Sequence, residues 1–167
     1  AMLLAILPMN VTFANDKDNA NAPLDISSKS AILMDVGTGQ ILYEKNAHDK
    51  LPPASVTKVM TMLLICEALD SGKIKLDDKV QISENAASMG GSQIFLEPGE
   101  TQDVNTLLKG IAVASANDGC VAMAEYIAGS VESFVDMMNK KAQELGMKDT
   151  HFANTNGLPV DNHYTSA

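Results

Sequence analysis

Ser55 and Lys58 stand three residues apart in the segment Pro52-Pro53-Ala54-Ser55-Val56-Thr57-Lys58. On a helix this spacing puts both side chains on one face. The N–H groups of a first helical turn lack partners within the helix and favour negative charge at its start. An oxyanion formed by attack from Ser55 would therefore develop beside hydrogen-bond donors. Lys58 leads into a largely apolar run, and burial lowers a lysine pKa by penalising the ammonium form. A lysine that spends time neutral can take the proton of a serine hydroxyl. The pattern S-x-x-K is cheap, arising about once by chance in a chain of this composition. A serine at a helix start with a solvated lysine after it is equally ordinary. The position of Lys58, entering an apolar helix where a charge needs a partner, favours the chemical reading.

Ser115 and Asn117 form a second candidate pair, in Ser115-Ala116-Asn117 at a short joint between two helical stretches. A hydroxyl held in such a joint can relay a proton, and a carboxamide can both donate to and accept from a peptide-like substrate. The plainer reading makes Asn117 a helix N-cap and Ser115 a joint residue. Ser83-Glu84-Asn85 has the same spacing, but it follows an expected surface strand and no buried helix frames it. His48, His151 and His163 lie in polar loops without the setting of a Ser-His-Asp triad, and read as surface or structural residues. Asp77-Asp78 and the Glu97/Glu100 pair read as solvated loops rather than as an acid/base pair.

The elements that must position these residues follow from the pattern. Ser30–Val36 and Gln40–Glu44 are short apolar runs around Gly37-Thr38-Gly39, which predicts a β-hairpin. Ser55 to Ser71 contains no Gly or Pro and is followed by Gly72, which predicts a helix with a glycine stop. Val59 to Cys66 is apolar on nearly every side, as in a fully buried helix. Lys79 to Ser83 suits a short strand. Further helices are expected from Asn105 to Ala114, from Asn117 to Ile127, and from a Ser130 cap to Leu145 before Gly146. Asn154, Asn156, Gly157 and Pro159 mark a loop. Cys66 and Cys120 both fall in apolar helical runs, where two separate buried thiols are favoured over a disulfide. No Cys/His spacing suggests a metal site.

The chain has 167 residues, 46% of them hydrophobic and 20% charged, with a formal net charge of -9. That length and composition suit a globular domain with a real core. Every basic residue other than histidine is a lysine, the net charge is acidic and nothing forms a basic stripe, which argues against nucleic-acid binding. Met2 to Phe13 is apolar and ends at Ala14, as in the h-region and cleavage site of a clipped signal peptide spanning residues 1–14. A polar linker is expected over 15–28, with residues 29–167 forming the N-terminal part of a catalytic domain.

Taken in order, the segments resemble the low-molecular-mass penicillin-binding serine D-alanyl-D-alanine carboxypeptidases. The resemblance rests on Ala31-Ile-Leu-Met-Asp-Val-Gly-Thr-Gly39, Pro53-Ala-Ser-Val-Thr-Lys58, Gly90-Gly-Ser-Gln93 and Leu96-Glu-Pro-Gly-Glu100. It continues through Ala114-Ser-Ala-Asn-Asp118, Leu145-Gly-Met147, Thr150-His-Phe-Ala-Asn154 and Asn156-Gly-Leu158. It implies an α/β (α+β) fold of the serine β-lactamase/transpeptidase type, an antiparallel sheet flanked by helices plus a helical subdomain. It implies Ser55 as acyl-forming nucleophile, Lys58 as its base, Ser115 as proton relay and Asn117 as substrate-binding residue, with no cofactor. The implied substrate is a peptidoglycan stem peptide ending in D-Ala-D-Ala, and β-lactams would acylate the same serine outside the cytoplasm.

Two features depart from the family pattern. Ala116 stands where many relatives have glycine, and Lys-Thr-Gly occurs nowhere in the chain. Absence of that motif and of later strands implies a chain inactive as it stands, with any membrane anchor in a C-terminal part. A serine β-lactamase using the same Ser55 and Lys58, and a non-catalytic penicillin-sensing or wall-binding module, are the competing readings.

Overall fold

The computed structural model describes residues 26–167. The signal-peptide segment and most of the linker expected from the sequence lie outside the described residues.

Strands β1 (Ala31–Met34) and β2 (Ile41–Lys45) pair antiparallel, Ala31 opposite Lys45 and Leu33 opposite Tyr43, as the hairpin pattern predicts. The register slips between Leu33 and Met34. The turn is held by Asp35, whose carboxylate accepts from the Thr38 hydroxyl at 2.6 Å and the Thr38 N–H at 2.8 Å. These bonds, the hydroxyl's first, hold the Asp35 pKa below the ordinary carboxylate value. Ile32, Leu33, Met34, Ile41 and Leu42 all remain substantially exposed.

A second antiparallel pair joins β3 (Lys79–Gln81) to β4 (Thr101–Asp103). The sequence anticipates the first strand but not the second, because Thr101-Gln102-Asp103 is polar and too short to show a period of two. Asp103 then caps the next helix, accepting from Thr106 N–H at 2.7 Å.

Among the described residues five α-helices build the rest: α1 (Thr57–Asp70), α2 (Glu84–Ala87), α3 (Val104–Ala114), α4 (Asn117–Ala128) and α5 (Val131–Glu144). Helix α4 is the centre, buried continuously from Ala116 to Ala124 and packed against α1, α2, α3 and α5. Around it, Ile65, Leu107, Ile111, Met123, Phe134 and Met138 fill a core with almost no aromatic content. Ser130 caps α5 as expected, accepting from Ser133 N–H at 3.1 Å.

Two expectations are corrected. Helix α1 is not buried all round: Met60, Thr61, Leu64, Ile65 and Ala68 face the core, while Val59 is 63% exposed and Cys66 is at the surface. Apolar character on every side does not by itself show which side is covered. Asn117 is the first helical residue rather than a cap; Ala116 holds the N-cap position, and the Asn117 side chain reaches elsewhere. His163, read as a surface or structural residue, falls on the structural side of that reading, being 6% exposed.

The C-terminal segment folds back on the start of α1. Leu51 pairs with Thr165 and His151 with Tyr164 in isolated antiparallel bridges. This return lays residues 151–165 beside the turn that carries Ser55.

Candidate active site

Ser55 sits in a single 3-10 turn, Ala54–Val56, which runs directly into α1. Pro52 and Pro53 keep helix from beginning earlier. Ala54 adopts φ +47°, a left-handed conformation costing a non-glycine residue about 1–2 kcal/mol. That kink turns the chain from the Pro52-Pro53 approach into the helix and sets Ser55 at its mouth.

Lys58 lies one turn on, 3% exposed. Its ammonium donates to Ser55 Oγ at 3.3 Å and to the Asn156 carbonyl at 2.7 Å. Burial holds its pKa below the ordinary lysine value, while the neighbouring Cys120 pulls weakly the other way. Cys120 itself is fully buried and desolvation pushes its thiol up to about 12, so it is a core group rather than a nucleophile.

Ser115 ends α3 in a left-handed conformation, φ +56° and ψ +39°. This abrupt stop aims its hydroxyl across the cleft, where it donates to Ser55 Oγ at 3.1 Å. The Ser55 oxygen thus has an amine on one side and a hydroxyl on the other. That arrangement can strip a proton from a nucleophile and hand it on.

Asn117 lies apart from this trio. Its carboxamide, 4% exposed, donates to the Gly90 carbonyl at 2.7 Å, and its N–H donates to the Ser92 carbonyl at 2.8 Å. Gly91, at φ +79°, lets the loop approach; a Cβ there would come within 2.9 Å of Asn117 Nδ2. Of the four residues picked from sequence, Ser55, Lys58 and Ser115 therefore converge directly. Asn117 instead locks the Gly90–Ser92 loop to the helix that follows Ser115.

Sequence reasoning missed the supports. Asp118 is completely buried, and its carboxylate accepts from the N–H groups of Ile94, Leu96 and Gly119 at 2.9–3.2 Å, fastening the same loop. Asn156, read only as a loop residue, supplies the carbonyl on Lys58. Thr57 Oγ1 meets His163 Nε2 at 2.7 Å, and His163 Nδ1 accepts from Ala153 N–H at 2.9 Å. The backbone donor fixes Nδ1 as the unprotonated nitrogen, so Nε2 carries the hydrogen and donates to Thr57. His48 and His151 are exposed, and neither makes a hydrogen bond to Ser55 among the described residues. The only available sequence signal for these supports was that several polar residues crowd into 150–163.

Among the described residues no helix is long and apolar enough to cross a membrane.

Comparisons with known proteins bear on the family and the fold. The family described as D-alanyl-D-alanine carboxypeptidase matches residues 16–167. The chain is 58% identical over 166 residues to the D-alanyl-D-alanine carboxypeptidase DacF of Bacillus subtilis (strain 168), covering 99% of this chain and 42% of that one. The crystal structure of the D-alanyl-D-alanine carboxypeptidase DacD from Francisella tularensis superposes with a TM-score of 0.84 at 39% identity, over 95% of this chain and 40% of that one. Penicillin binding protein 5 from Haemophilus influenzae gives the same TM-score and identity over 88% and 44%. The chain spans less than half the length of these relatives. Its fold is the mixed α/β fold of the penicillin-binding and transpeptidase proteins. By sequence and by structure, the chain belongs to the D-alanyl-D-alanine carboxypeptidase family.

Proposed function

We propose that the protein is a serine D-Ala-D-Ala carboxypeptidase acting on peptidoglycan stem peptides outside the cytoplasm. The observation that carries this reading is the placement of Ser55 Oγ between Lys58 Nζ at 3.3 Å and Ser115 Oγ at 3.1 Å. Neutral Lys58 takes the Ser55 proton as Oγ bonds to the carbonyl carbon of the penultimate D-Ala. The tetrahedral intermediate collapses, the C–N bond breaks, and the proton passes through Ser115 to the leaving amine of the terminal D-Ala. Water then attacks the ester, regenerating Ser55 and releasing the shortened peptide. Burial of Lys58 serves the first step, because a base titrating nearer neutrality is more often unprotonated.

In this reading Asn117 is a substrate-binding residue, as the resemblance of Ser115-Ala116-Asn117 to the family pattern implies. Its hold on Gly90 and Ser92 ties that role to the loop beside it. β-Lactams are acylating inhibitors in this reading, reacting at the same Ser55 Oγ. The apolar segment Met2–Phe13 followed by Ala14 supports export.

The test is assay of free D-Ala released from a pentapeptide ending in D-Ala-D-Ala by the full-length protein, alongside penicillin turnover. Release of D-Ala with slow loss of penicillin supports the carboxypeptidase. Rapid multiple-turnover penicillin hydrolysis without D-Ala release indicates a β-lactamase, and neither reaction indicates a non-catalytic module.

A further inference from the structure

The turn from Asn154 to Leu158 bears on the Ser55 machinery at two points. Gly157 lies against the peptide that precedes the nucleophile. At φ +89° its backbone is in the region that glycine favours, and a Cβ there would overlap the Ala54 carbonyl and come within 3.0 Å of Thr57 Oγ1. The adjacent Asn156 carbonyl accepts from Lys58 Nζ at 2.7 Å. Ala54, on the other side of the Gly157 contact, is itself held left-handed at φ +47°.

We propose that Gly157 is a positioning residue for the Ser55–Lys58 pair, its missing side chain letting one rigid turn set the nucleophile and the base at once. The proposal rests on the assignment of Ser55 and Lys58 made above.

The rigidity is visible in the bonds. Asn154 Oδ1 accepts from both Asn156 N–H at 3.2 Å and Gly157 N–H at 2.7 Å, and Asn154 Nδ2 donates to the Leu158 carbonyl at 2.8 Å. Leu158 N–H in turn donates to Asn156 Oδ1 at 3.0 Å. One residue earlier, the Thr155 carbonyl accepts from Thr61 Oγ1 at 2.6 Å, which pins the turn to α1 a turn beyond Lys58. A turn tied at this many points does not bend to admit a methyl group. A side chain at 157 must therefore push the Asn156 carbonyl off Lys58 or push the Ala54 peptide, and Ser55 with it, away from Lys58. The Asn156 carbonyl also occupies one N–H of the lysine, which limits the directions in which its lone pair points once it is neutral.

The experiment compares Gly157→Ala and Asn154→Ala with wild type in the full-length protein. Two readouts are taken: the rate of acylation by a fluorescent penicillin, and the titration of Lys58 followed by NMR of labelled lysine side chains without penicillin. A displacement of about 1 Å between reacting groups slows reaction by roughly 100-fold, so Gly157→Ala is expected to acylate at least about 100-fold more slowly. Its Lys58 is expected to titrate at lower pH, because the lost carbonyl favoured the ammonium form. Asn154→Ala adds no atom and is expected to move both readouts in the same direction by less. Acylation within about threefold of wild type in Gly157→Ala, with Lys58 titration unchanged, would overturn the proposal. Should Gly157→Ala not fold, unchanged rate and titration in Asn154→Ala would overturn it equally. If wild type is not acylated at all, the carboxypeptidase reading fails, and the Lys58 titration still decides the positioning role.

Discussion

Ser115 Oγ donates to Ser55 Oγ at 3.1 Å across 60 residues of sequence, and it does so from a left-handed backbone at φ +56°. Glycine adopts that backbone without strain, so Ser115→Gly removes the hydroxyl and leaves the joint between α3 and α4 intact. We expect acylation to slow by about 10²–10⁴-fold, with stability changed by less than about 1 kcal/mol. Thermal melts beside penicillin-labelling rates check this. A slow variant with a collapsed melt would assign Ser115 to structure instead.

Lys58 links activity and stability to pH. Its folded pKa lies below the ordinary 10.5. Between the folded value and 10.5 the unfolded chain therefore binds more protons, and stability rises with pH through that window. Lys58→Met lacks this component, so wild type should gain stability relative to the variant as pH climbs toward 10.5. Acylation by wild type should rise with pH up to the folded Lys58 pKa and then level off. Lys58→Met should acylate about 10²–10⁴-fold more slowly. Urea melts and labelling rates across the pH range supply both curves.

His163 has the opposite consequence at acid pH. Burial, and to a smaller degree His151, hold its pKa below the ordinary 6.5. The imidazole is thus neutral in the fold, and its contribution is fully present above 6.5. As pH falls below 6.5 the unfolded chain protonates first, and that stability is lost down through the folded pKa. Protonation would also set a second N–H against Ala153 N–H. Urea melts between pH 7.5 and 5 should show this loss in wild type and a flatter profile in His163→Gln.

Much of the site was legible because it is local. Ser55 and Lys58 share a helical face by spacing alone, and the Ser130, Gly72 and Gly146 signals marked helix ends where they fall. The supports were not legible because they are long-range or carry no residue signature. Ala54 is left-handed with no Gly or Asn to announce it. Asn156 reaches Lys58 across 98 residues through its backbone carbonyl, to which any side chain is indifferent. Asn117 resembled a cap because asparagine commonly is one, yet its carboxamide was spent on Gly90. Val59 and Cys66 looked like core because composition records how apolar a helix is, not which face is covered.

Asp118 anchors the continuation of the loop that Asn117 holds: its fully buried carboxylate accepts from Ile94 and Leu96 N–H, and from Gly119 N–H of its own helix. Asp118→Asn replaces one acceptor oxygen with a donor facing N–H groups. The expected loss is about 1–3 kcal/mol of stability, with faster hydrogen exchange at Ile94 and Leu96. Unchanged exchange at those amides would remove Asp118 from this role.

The two cysteines should differ in reactivity. Cys66 is exposed, while Cys120 is buried with its thiol pushed up to about 12. A disulfide-exchange reagent should titrate one thiol in the native protein and two in denaturant. Two fast native thiols would contradict the burial of Cys120.

The most direct test of the account is mass spectrometry of the full-length protein after brief exposure to penicillin. The account predicts a single acyl adduct on the peptide containing Ser55, absent in Ser55→Ala and slow to form in Lys58→Met. An adduct that persists in Ser55→Ala, or one on another residue, would contradict the assignment of Ser55 as the nucleophile.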